Sequence, residues 1–191
     1  MSVKLYDDAI VESFRSLMQD NRISILPVEQ ALRFSAQLQR DDIRFPLIST
    51  YRLGYSIREN DVNYYGLNTG GYRKRNDNGT NTFVQIVPIK INYQLDIFTV
   101  DRESCDNIIR ELVFYLLQTP SLTVKIPYDI NMEHRFNLYM EPDIVDNSDT
   151  VEHTNKGVLF RNTLNLYTDD AYLFSNRTQL HGNVSGNVHT I

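Results

Sequence analysis

The chain has 191 residues, 41% hydrophobic and 23% charged, with 24 acidic against 19 basic side chains and a net charge of -5. That length suits one domain with a sizeable core, and the composition excludes a wholly disordered chain. The acidic balance argues against a general nucleic-acid binder, and the single cysteine, Cys105, excludes an internal disulfide framework and a cysteine-based zinc site.

The first segment reads as a helix. Ile10, Phe14, Leu17 and Met18 recur at steps of three and four, with Glu12, Arg15, Ser16 and Gln19 on the other side. Asp7 and Asp8 are expected in or just before its first turn, where a carboxylate complements the helix dipole. Asp20 and Asn21 form a plausible stop. Charged residues interrupt Met1–Asp20, so no secretory leader is expected. No window approaches the ~20 apolar residues of a spanning helix. The sequons at Asn78, Asn176 and Asn183 then read as accidental, and a reducing cytoplasm as the site of synthesis.

Ile23–Leu26 reads as a short strand. Pro27 suits the first turn of a second helix running through Gln39, with Ala31, Phe34, Ser35 and Leu38 on one face. A second strand is expected from Phe45 to Leu53, ending at Gly54. From Arg58 to Thr82 neither helical period nor sustained alternation is found. Loops this long are uncommon in compact domains and tend to be functional or disordered. Tyr64, Tyr65 and Tyr72 argue against plain disorder. The segment reads as an excursion or hairpin that becomes ordered against a partner.

The strongest strand follows at Pro88–Thr99. Ile89, Ile91, Tyr93, Leu95 and Ile97 alternate with Lys90, Asn92, Gln94 and Asp96, the period of a half-buried strand. The strongest helix is Arg102–Gln118, with Cys105, Ile108, Ile109, Leu112, Tyr115 and Leu116 on one stripe. Asp101 suits its N-cap and Thr119-Pro120 its end. Three strands close the chain, at Leu122–Ile126, Arg135–Met140 and Val158–Thr168, with a polar loop expected from Asp143 to Lys156. The last strand is long enough to overhang the domain and offer an edge to a neighbour. Leu173-Phe174 is the last apolar pair, and the polar tail from Ser175 to Ile191 reads as flexible or ordered by a partner.

This order predicts an α+β fold: a mostly antiparallel or mixed β-sheet with helices packed on one face, a long loop excursion and an extended C-terminal tail. Residues 1–174 are expected to form a single domain, with 58–82 its excursion and 175–191 its tail.

Catalytic and cofactor signatures are weak. Gly70-Gly71 lacks the Lys-Ser/Thr of a phosphate loop and reads as a turn. His134, His153, His181 and His189 lack metal-ligand spacing. Asn76–Gly79 lacks the ligands of a calcium loop. Cys105, on an apolar helix stripe, reads as a buried structural thiol. The carboxylate pairs Glu141/Asp143, Asp146/Asp149 and Asp169/Asp170 fall at strand ends or in polar loops, where Asp favours turns. No catalytic residue, cofactor or metal is therefore expected, and the chain reads as non-enzymatic. Arg73-Lys74-Arg75 is the one basic triplet. It suits an acidic protein surface, DNA phosphates or plain solvation, with a protein partner favoured. Tyr64, Tyr65, Tyr72, Arg73, Lys74 and Arg75 are the candidate partner-contact residues. Twelve tyrosines, and 14 arginines against five lysines, suit interfaces equally well as compositional drift.

The block PIKINYQLDIFTVDRESCDNIIRELVFYL, from Pro88 to Leu116, resembles the strand-to-helix segment of bacteriophage tail-completion proteins, the tail terminators and tail-sheath stabilisers. Shared features are Pro-Ile opening the strand, an aromatic within alternating polar and apolar residues, Ile-Phe-Thr, an acidic helix start and an apolar helix. FPLISTYRLG and TDDAYLF are weaker matches in the same order. The resemblance covers about half the chain. It implies a virion protein, assembled in the host cytoplasm, that forms a ring, usually hexameric, at the neck. The ring would cap the tail tube, contact tube and sheath, and join the tail to the head connector or adaptor protein, with no membrane role. Two alternatives stay open: a head-completion or connector adaptor that contacts the portal and DNA in the channel, and a small hydrolase using a carboxylate pair.

Overall fold

The structure is a computed structural model that describes residues 2–18, 23–26, 44–58, 71–75, 81–128, 131–148 and 159–177. Its centre follows from the alternation at Ile89–Ile97. All five apolar side chains of that run are fully buried, while the intervening Lys90, Asn92 and Gln94 are only half-buried. They belong to β4 (Asn81–Thr99). β2 (Leu47–Ile57) pairs antiparallel along one side of β4, from Leu47 opposite Phe98 to Ile57 opposite Ile89. β8 (Phe160–Arg177) pairs antiparallel along the other, from Phe83 opposite Arg177 to Thr99 opposite Phe160. β1 (Ser24–Leu26) lies parallel to β2, and β7 (Tyr139–Asp146) antiparallel to β8. β3 (Gly71–Arg75) joins β4 beyond the end of β2. The sheet order is β1-β2-β4-β8-β7, with β3 beside β4.

Two described helices pack against the buried side of this sheet. α1 (Ser2–Leu17) contributes Tyr6, Ile10 and Phe14, and α2 (Arg102–Leu117) contributes Cys105, Ile108, Leu112 and Leu116, to one cluster with Ile89, Ile91, Tyr93, Leu95 and Ile97. The Ser13 and Tyr115 hydroxyls, hydrogen-bonded to one another, tie the two helices together. Asp101 caps α2 as its sequence predicts: Oδ1 accepts from the Ser104 amide at 2.7 Å, and this holds the carboxyl below its usual range. Thr119, at a φ of 51°, turns the chain out of the helix ahead of Pro120. The α+β class, mostly antiparallel with one parallel pair and helices on one face, is the one predicted.

Several boundaries differ from the sequence reading, each for a local reason. α1 starts at Ser2, so Asp7 and Asp8 lie inside the helix; no acidic residue occupies its first turn. β2 does not stop at Gly54, because a bulge between Arg52 and Gly54 absorbs one residue and the strand continues to Ile57. The expected strand Arg135–Met140 is two strands. β6 (Glu133–Asn137) pairs with β5 (Ser121–Lys125) in a separate two-stranded sheet; Leu138, fully buried, donates its amide to the Pro120 carbonyl; β7 then joins the main sheet. β7 runs to Asp146, into the expected loop, through a second bulge between Met140 and Ile144. β8 passes through Asp169 and Asp170 to Arg177 because a bulge opposite Lys90 accommodates that acidic pair. The start of the expected tail is therefore strand. The long strand does not overhang alone, since β4 accompanies it to Phe83. The predicted helix Pro27–Gln39, the stop at Asp20-Asn21 and residues 178–191 lie outside the described residues.

Candidate interaction surface

The predicted contact residues fall into two groups. Tyr64 and Tyr65 lie outside the described residues. Tyr72, Arg73, Lys74 and Arg75 lie in β3, opposite Val84, Phe83, Thr82 and Asn81 of β4. The basic triplet of the expected excursion is thus held on a strand backbone, as the outer member of a β3-β4-β8 ribbon that continues past the end of β2. β3 has no strand partner on its outer side among the described residues.

The sheet face away from the helices is polar and open. Lys90, Asn92 and Asn165 line a cavity of about 470 Å³, bounded by Leu53–Ser56 on one side and Glu141 on the other. Tyr167 stacks on Tyr139 with centroids 5.2 Å apart, and the Lys90 ammonium sits 4.4 Å from the Tyr167 ring centre. Further along the same face, Asp96 accepts from Thr163 Oγ1 at 2.6 Å and from Arg161 at 3.0 Å. Arg161 also lies 5.6 Å from the Phe98 ring centre, beside a small second cluster of Leu47, Phe98, Leu26 and Phe45.

Beneath the sheet, a charged group is set into the core. Asp7 of α1 accepts from the Tyr93 hydroxyl at 3.0 Å and from Arg52 at 2.6 Å. Burial raises the Asp7 carboxyl above its ordinary range, although Arg52 and the Tyr93 hydroxyl both pull it down. Burial and the Asp7 charge drive the Tyr93 phenol well above its usual value. Sequence reasoning placed Asp7 at a helix start. The available signal was its position three residues before Ile10 and seven before Phe14, on the apolar stripe, where a charge needs a partner.

A second device covers a sheet edge. β7 accompanies β8 only as far as Tyr167, leaving the backbone from Asp169 to Phe174 without a strand neighbour on that side among the described residues. Side chains take the place of a strand. The Tyr6 hydroxyl accepts from the Tyr172 amide at 2.8 Å and donates to its carbonyl at 3.2 Å; Tyr128 donates to the Phe174 carbonyl at 3.3 Å. His134 Nε2 lies 2.6 Å from the Asp170 carbonyl, which can only accept, so this nitrogen carries the proton. The ring meets Tyr6, Tyr172 and Phe174 edge-on. Burial holds the imidazole below its usual value near 6.5, against the opposing pull of the Asp170 carbonyl and carboxylate.

The sign of the linkage follows. The unfolded chain takes up its proton near pH 6.5, before the native imidazole does. The stability contributed by neutral His134 is present above that pH and is lost as pH falls through the lower native value. NMR titration is expected to place the His134 midpoint below 6.5, and His134→Gln to flatten stability against pH over that interval. A midpoint at or above 6.5 would contradict the buried neutral ring.

Among the remaining sequence candidates, Cys105, Asp146, Asp169 and Asp170 have structural partners. Cys105 is buried, its thiol pushed up by burial, and Asn162 Nδ2 donates to its sulfur at 3.1 Å. Asp146 accepts from the Ser148 amide and hydroxyl, which hold its carboxyl low; Asp149 lies outside the described residues. Asp170 accepts from Asn137 at 3.1 Å, and the Asp169 carbonyl from Arg58. Glu141 and Asp143 are exposed at the β7 bulge. No cluster of three metal-ligating side chains occurs among the described residues, and no described helix is long and apolar enough to cross a membrane. A scan against models of known protein families finds no match, and a search of curated proteins finds none either.

Proposed function

We propose that the chain is a non-enzymatic structural subunit of a bacteriophage virion: a tail terminator or tail-completion ring subunit of the neck. It caps the tail tube and joins the tail to the head connector. The observation that carries this reading is the resemblance of Pro88–Leu116 to the strand-to-helix block of those proteins. In the fold that block is one continuous unit, the central strand β4 passing through the capped start of α2, and it supplies nine of the buried core side chains, from Ile89 to Leu116. A scaffold built this way leaves the β3-β4-β8 ribbon and the polar sheet face for contacts with neighbours. In this reading Tyr72, Arg73, Lys74 and Arg75, together with Tyr64 and Tyr65, meet the next protein of the neck. The partners are further copies of the chain, the tube and sheath, and the connector, with DNA passing through the channel.

The test is native mass spectrometry of the purified chain with negative-stain imaging of the same sample. A closed ring, hexameric in the simplest case, is the expected result. If no ring forms either alone or on addition of purified tail tubes, the reading fails.

A further inference from the structure

The two sides of the main sheet are finished differently. β7 closes one side with Pro142 and a bulge, and with Glu141, Asp143 and Asp146 exposed. Proline, a bulge and charge are the features that block addition of another strand. On the opposite side β1 covers β2 only from Leu47 to Ser49. From Thr50 to Ile57 no described strand continues the sheet. This stretch holds no proline; its own bulge lies near the start, between Arg52 and Gly54, and beyond it Gly54–Ile57 runs in regular register with β4 and carries no charge. Leu53, Tyr55 and Ile57 are 53%, 54% and 47% exposed. The flanking cations are engaged elsewhere, Arg52 with Asp7 and Arg58 with the Asp169 carbonyl.

We infer that this edge pairs with the same edge of a second copy, β2 antiparallel to β2 about a two-fold axis. A two-fold axis sets like on like, so the patch must tolerate itself. An uncharged edge does so, whereas β7 against β7 would oppose three carboxylates with three. β7 against β2 is blocked by Pro142 and its bulge. The register fits as well. Tyr55 and Ile57 lie opposite Ile91 and Ile89, on the helix-side face, while Gly54 and Ser56 lie opposite Asn92 and Lys90 on the open face. Pairing extends the apolar face across the seam and sets small residues on the polar one. Three half-exposed apolar side chains amount to roughly 300 Å² per copy, against about 800 Å² for a standard interface. The pair is therefore weak, with a Kd above about 1 µM. It does not depend on the neck reading, since a cyclic ring joins unlike surfaces and this contact closes at two.

Sedimentation velocity of the full chain, from about 5 to about 500 µM, is the test. The parent is expected to shift from monomer to dimer across that range. Leu53→Lys/Tyr55→Lys/Ile57→Lys is expected to stay monomeric with an unchanged circular dichroism spectrum, and Phe114→Lys/Leu117→Lys, on the exposed face of α2, to dimerise like the parent. Should the triple variant fail to fold, Tyr55→Lys alone replaces it. Hydrogen exchange of the parent would then show protection of the Tyr51–Ile57 amides rising with concentration. A parent that stays monomeric, a β2 variant that dimerises normally, or loss of the dimer only in the α2 variant overturns the inference. Six-membered rings in parent and triple variant alike overturn the two-fold pair and leave the neck reading standing. An edge-dependent dimer that forms no ring does the reverse.

Discussion

Arg52→Ala is expected to cost about 3–5 kcal/mol at neutral pH, the usual penalty for leaving a buried charge without its partner. Asp7 is 5% exposed and would keep only the Tyr93 hydroxyl. Burial already outweighs the attraction of Arg52 for this carboxyl, since its native pKa stands above the ordinary 3.8. A raised native pKa means that the folded chain holds the proton where the unfolded chain has released it. The contribution of this group is therefore fully present below 3.8 and is lost as pH rises through the native value. Removing Arg52 raises that value further, so the variant's deficit should be larger at pH 7 than near pH 4. Urea unfolding of parent and variant at both pH values gives the difference directly. An equal deficit at both would show that Arg52 acts through packing alone. Replacing the group as a whole, Asp7→Leu/Arg52→Met/Tyr93→Phe, should recover most of the loss, because apolar side chains of similar volume need no partners.

Leu112→Ala is expected to cost about 2–5 kcal/mol, whereas Phe114→Ala should change stability by less than about 0.5 kcal/mol. The two residues are neighbours on α2 and both are large and apolar. Leu112 is fully buried in the cluster with β4; Phe114 is 63% exposed. One substitution leaves a cavity and the other leaves water where water already is. Urea midpoints distinguish them, and equal losses would place Phe114 in a contact that the isolated chain must make.

The His134 and Tyr6 contacts on β8 bear on how such a fold tolerates a strand longer than its neighbour. β8 has 18 residues and β7 has eight, so part of one edge loses its strand partner. Hydroxyl and imidazole groups from α1 and β6 satisfy that backbone at single points, at carbonyls that would otherwise be left bare. The His134 contact also ties β6, and with it the β5–β6 sheet, to β8.

By itself the sequence determined the elements whose period is strong and local. The two-residue alternation of Ile89–Ile97 specified β4 from Pro88 to Thr99, though not its start at Asn81, and the stripe through Cys105, Ile108, Leu112 and Leu116, with Asp101 before it, specified α2 and its start. An α+β class followed from their order. The buried state of Cys105 followed from its place on that stripe. What only the tertiary structure decided are the features that depend on residues far apart in the chain. Asp7 meets a partner 45 residues away and another 86 away, so its role as the buried centre of a polar group was invisible to any local pattern. Bulges at Arg52/Gly54, Met140/Ile144 and Asp169-Asp170 let strands pass residues that read locally as stops. A glycine or an acidic pair ends a strand only where no neighbour supplies hydrogen bonds across the irregularity, and here β4 and β8 supply them. Whether an apolar residue is core or surface was settled in the same way: Leu112 and Phe114 differ only in which side of α2 the sheet lies on.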